Sequence, residues 1–66
     1  MEIRVNGVAR NVAVVYTVAD LLQDMDLGQR RLAVEVNQEI IRRSQHENYQ
    51  LQAQDQVEIV HAIGGG

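Results

Sequence analysis

Sixty-six residues with 45% apolar content and a net charge of −3 carry one small domain built around a single hydrophobic core. The chain has no cysteine, which excludes iron–sulfur ferredoxins, thioredoxin-like redox proteins, carriers that hold sulfur as a cysteine persulfide, and the usual cysteine-containing zinc folds. Its six arginines, with no lysine, Phe or Trp beside them, make a poor nucleic-acid footprint, and its apolar stretches are too interrupted by charge to span a membrane.

In residues 1–5, Met1, Ile3 and Val5 alternate with Glu2 and Arg4, the pattern of a half-buried strand. Asn6-Gly7 is a strong hairpin turn because both residues tolerate positive φ. A second strand is expected over 10–15, with Val12 and Val14 on one face. Thr17 is a good helix N-cap, and Asp20 falls in the first turn, where negative charge meets the positive end of the helix dipole. Val18, Leu21, Leu22 and Met25 form one apolar stripe, and Gly28 offers a C-cap, so the spacing predicts a helix over 18–26. Residues 32–36 read as a third strand, Asn37-Gln38 as a turn, and 39–41 as a short edge segment. Ser44 and Glu47 have the spacing of a capping box, predicting one helical turn over 44–48. A polar turn at Gln52, Ala53 and Gln54, ending at Asp55, leads into a last strand over 57–63.

Two strands, a helix and further strands in one small domain give an α+β roll, a mixed sheet of four to five strands packed on one helix. That element order is the order of the ubiquitin-like β-grasp fold. In that fold the first and last strands are parallel neighbours, which places Ile3, Val5, Val57 and Ile59 in the core. The domain is expected over 1–63, with 64–66 as a flexible reactive tail.

Gly64, Gly65 and Gly66 lose too much backbone entropy, and offer too little side chain, to pack as helix or sheet. Three extended residues reach roughly 10 Å, a thin arm able to enter a narrow active site. A terminal carboxylate becomes an electrophile once joined to AMP, and a sulfur nucleophile then converts it to a thiocarboxylate without any cysteine of the carrier. Parity along the last strand puts Val57, Ile59, His61 and Ile63 on one face and Glu58, Val60 and Ala62 on the other. Val60 and Ala62 thereby form an apolar partner contact beside the tail. No catalytic set assembles elsewhere. His46 and His61 stand alone in different elements, Asp24 and Asp26 lie on different helix faces, Glu35 and Glu39 read as solvated, and Ser44 has no base. No metal site is expected.

Three segments resemble the thiamine-biosynthesis sulfur carriers of the ThiS family. They are Thr17-Val18-Ala19-Asp20-Leu21-Leu22, then Leu32-Ala33-Val34-Glu35-Val36-Asn37, and then the run from Val57 through His61, Ala62 and Ile63 into the three glycines. That family often carries glycine where Gln38 and Gln54 stand, a proline near Arg42 and an aromatic near His46. The resemblance implies a protein co-substrate, not an enzyme, with no cofactor of its own. It implies that an E1-like adenylating enzyme using ATP and Mg activates Gly66. A cysteine desulfurase then supplies sulfur, directly or by relay, and thiazole synthase receives it. The alternatives are a carrier like the small subunit of molybdopterin synthase and a non-reactive ubiquitin-like binding module. No signal peptide is read, so a cytoplasmic location is expected.

Overall fold

The computed structural model describes residues 1–61. Strand β1 (Glu2–Val5) buries Ile3 and Val5 and exposes Glu2 and Arg4, as its alternation requires. Asn6 and Gly7 take φ of 51° and 83°, the paired left-handed geometry of a type I′ turn, and set Val5 opposite Val8. The two-residue loop fixes where the return strand begins. Strand β2 is therefore Val8–Asn11, not 10–15. Its ladder ends at Glu2↔Asn11, with two further bonds between the next residues, from Val12 N to Met1 O at 2.8 Å and from the Met1 amine to Val12 O at 2.5 Å. Val14 and Val15 lie past the start of β1, have no strand to pair with, and are exposed.

Helix α1 (Val18–Asp24) starts as expected at Thr17, with a reciprocal capping box. Asp20 N donates to Thr17 Oγ1 at 3.1 Å, and Thr17 N donates to Asp20 Oδ2 at 3.0 Å. The helix ends two residues before the expected boundary, and Gly28 is not its cap. Asp26 takes the left-handed position at φ 59°. Its N–H donates to Gln23 O at 3.0 Å, while Leu27 N–H reaches back to Leu22 O at 2.7 Å. These are the two bonds of a Schellman motif, with Leu27 folding onto the core beside Leu22.

Strands β3 (Leu32–Val36) and β4 (Glu39–Ile41) lie where the sequence places them. Asn37 and Gln38 join them at φ 52° and 72°, a second type I′ turn. The next turn is a 3-10 turn, Arg43–Gln45, with no side-chain cap, so the expected Ser44–Glu47 capping box does not form. It leads to the buried His46, whose Nε2–H donates to Ile41 O at 3.0 Å; a carbonyl only accepts, so that nitrogen carries the proton. His46 O in turn accepts from Ala19 N at 2.9 Å, tying this turn to the start of the helix.

Strand β5 (Gln56–His61) closes the sheet in the order β2-β1-β5-β3-β4. β1 and β5 are parallel and central, and the other pairings are antiparallel. Val18, Leu21 and Leu22 of α1 close over Ile3, Val5, Val34, Val36, Val57 and Ile59. This is the β-grasp roll. Asp55, expected as a polar turn residue, is buried as a hub. It accepts from Asn37 Nδ2 at 3.0 Å and Gln52 N at 2.8 Å, fastening the β3–β4 turn to the start of β5. The expected boundary between domain and tail lies outside the described residues.

Candidate functional site

The site is the trailing half of β5, the last described stretch before the glycines. At its start this strand is held on both edges. β1 pairs Arg4↔Gln56 and Val5↔Val57, and β3 pairs from Val36↔Val57 to Leu32↔His61. After Val57 the β1 edge stops, because the chain has turned at Asn6. The Asn6 side chain takes over: its Oδ1 accepts from Ile59 N at 2.8 Å.

Alternation along β5 buries Val57 and Ile59 and exposes Glu58 and Val60, as the parity predicts. His61 shares the parity of Val57 and Ile59 yet is exposed. Its register partner Leu32 is only half-buried, so the apolar layer has thinned to its rim one pair beyond Ile59.

On the outer face, Val60 is 54% exposed and stands opposite Ala33. One step along, Glu58 faces Glu35, and Glu35 faces Ile40, itself 70% exposed. Two carboxylates directly opposite one another disfavour the pairing they sit in. The face therefore combines exposed apolar side chains with concentrated negative charge. Glu35 is half-buried here, not solvated as its sequence context implied, while Glu39 is exposed. Sequence parity found Val60 but missed Ala33, Ile40 and the carboxylate pair, because cross-strand neighbours depend on register. Ala62, Gly64, Gly65 and Gly66 lie outside the described residues.

Away from this face, Tyr16 donates its hydroxyl to Asp24 Oδ2, linking the loop before α1 to the end of the helix. Burial, with the Asp24 carboxylate beside it, pushes the Tyr16 hydroxyl up to about 12. Asp24 is thus a structural acceptor. Among the described residues no group of three or more His, Asp or Glu side chains is placed to hold a metal ion, and no helix is long and apolar enough to cross a membrane.

Residues 3–66 match the family model of the ThiS family. The chain belongs to the ThiS family. Among its ThiS relatives, the sulfur carrier protein of Escherichia coli (strain K12) is 35% identical over 66 residues, which is the whole of both chains. The crystal structure of the thiamine biosynthesis protein ThiS from Geobacter metallireducens superposes with a TM-score of 0.86 at 30% identity, covering both chains completely. A thiazole synthase of Magnetococcus marinus is 36% identical over 66 residues, and the chain spans only about a fifth (20%) of its length. The ThiS match includes the segment that carries Gly64, Gly65 and Gly66.

Proposed function

We propose that this chain is a sulfur carrier for thiazole formation in thiamine biosynthesis, and that the Gly66 carboxylate is its reacting group. The observation that carries the reading is that the ThiS family match runs through the glycines to Gly66. The similarity to the E. coli sulfur carrier along both whole chains supports it.

The chemistry follows from the carboxylate. Attack of its oxygen on the α-phosphorus of ATP, with Mg bound by an E1-like adenylating enzyme, expels pyrophosphate and leaves an acyl-adenylate. A sulfur nucleophile then attacks the carbonyl carbon and displaces AMP. With hydrosulfide the product is the thiocarboxylate directly; with a persulfide from a cysteine desulfurase or a relay, a further thiol opens the resulting acyl disulfide. Thiazole synthase is the acceptor in this scheme. The thiazole synthase of M. marinus contains a stretch similar to this entire chain, which supports that pairing. The carrier is a co-substrate of these enzymes in the cytoplasm, and ATP and Mg belong to the partner.

The outer face around Val60, Ala33 and Ile40 is the docking surface in this reading, and its paired carboxylates favour a partner with basic side chains there. Incubation with the cognate adenylating enzyme and ATP tests the first step. AMP-linked Gly66 is expected, and a chain that is bound by the enzyme yet never adenylated would instead be an inert ubiquitin-like module.

A further inference from the structure

We propose that Asn6 is a positioning residue for sulfur transfer, fixing where the tail-bearing strand leaves the sheet. The inference rests on the reading of Gly66 as the reacting group and adds a residue at the opposite end of the sequence. Asn6 occupies a turn position that glycine or aspartate would also fill, since all three accept the observed φ of 51°. Its side chain does something that the turn does not need. Asn6 N donates to Val57 O at 2.8 Å, and Asn6 Oδ1 accepts from Ile59 N at 2.8 Å. One residue thus grips two successive main-chain sites on the same edge of β5.

The register shows why the second grip matters. Main-chain pairing between β1 and β5 covers only Arg4↔Gln56 and Val5↔Val57. From Glu58 to His61 the strand is held by β3 on one edge, and Asn6 Oδ1 is the hold from the hairpin side. A strand supported on one edge alone twists more freely than one supported on both. Ile59 precedes Gly66 by seven residues, a reach of at most about 24 Å. Over the two residues from Ile59 to His61, a reach of at most about 7 Å, a tilt of about 10° moves the strand end by about 1 Å, the size of misplacement that already slows a positioned reaction a hundredfold.

The test uses the full chain with its adenylating enzyme and two variants. Asn6→Gly keeps the turn and removes the acceptor; Asn6→Asp keeps both. In Asn6→Gly, amide exchange at Ile59 should quicken about fivefold to tenfold, as expected for one lost hydrogen bond, while β3 and β4 stay protected. Formation of AMP-linked Gly66 should slow by at least the same factor, mainly in kcat, and Asn6→Asp should restore both readouts. Wild-type adenylation kinetics in a folded Asn6→Gly chain would overturn the proposal. So would equal slowing in both variants, because the acceptor would then not be the cause. Global loss of protection in Asn6→Gly would make Asn6 a folding residue and overturn its positioning role. If the wild-type chain is never adenylated, the carrier reading falls with this proposal, whereas a failure confined to the variants leaves that reading intact.

Discussion

Five residues that are not glycine hold left-handed backbone among the described residues: Asn6 at φ 51°, Asp26 at 59°, Asn37 at 52°, Gln38 at 72° and Gln54 at 71°. Asp26 suits its place, because a short polar side chain tolerates that region better than a long one. The two glutamines do not, and they stand at positions where the family often has glycine. Left-handed backbone costs an ordinary residue about 1–2 kcal/mol. Glycine relieves that strain but gives back about 0.4–1 kcal/mol through the freer unfolded chain. Gln38→Gly and Gln54→Gly should therefore each stabilise the fold by about 0.5–1 kcal/mol, read as a higher urea midpoint at unchanged slope. Tyr16 gives a prediction in pH. Its hydroxyl is raised from 10.0 to about 12, chiefly by burial and then by Asp24, so the native state keeps a proton that the unfolded chain has already released. The stabilisation is whole below pH 10 and is lost as pH rises through about 12. Thermal unfolding across that window should show a falling midpoint, and Tyr16→Phe should flatten the slope.

Among the elements, those defined by local pattern were legible and those defined by a neighbour's end were not. β1 and β3 alternate cleanly, the Asn37-Gln38 turn marks the short β4 that follows it, and Thr17 with Asp20 announces the helix start. The apolar run Val12, Ala13, Val14 and Val15 looks like strand, but after Val12, which bonds to Met1, it lies beyond the start of β1 and has nothing to pair with there. Gly28 drew the helix boundary too far because the sequence offers no sign that Asp26 makes the Schellman turn. The candidate face divides in the same way. Parity alone exposed Val60, whereas its neighbours Ala33 and Ile40 and the Glu35–Glu58 pair came only with the register of β3 against β4 and β5. Two predictions belong to this face. Glu58→Gln removes a like-charge cross-strand pair and should raise stability by about 0.2–1 kcal/mol in chemical denaturation, while weakening binding to the adenylating enzyme. Val60→Asp should leave the fold unchanged by circular dichroism and weaken the same binding by tenfold or more; unchanged affinity would remove this face from the interface.

At the scale of the whole molecule, one small core does two things. Its central parallel pair, β1 with β5, gives the chain a rigid frame, and β5 ends at His61, three positions before the first of the three glycines in the sequence. The fold was readable because hydrophobic period, hairpin turn and helix cap all agree on it. The proposed reacting group, Gly66, rests on a different ground. No constellation of side chains marks it; it came from three consecutive glycines and the resemblance of the strand before them to sulfur carriers. The measurement that bears on it most directly is intact-mass spectrometry of the chain after incubation with its adenylating enzyme, ATP and a sulfur donor, with the modified peptide mapped. The expected product is one oxygen exchanged for sulfur at Gly66, absent from a chain that lacks Gly66 but is otherwise folded. Sulfur transfer that proceeds normally without Gly66, or a mass change mapped to another residue, would contradict it.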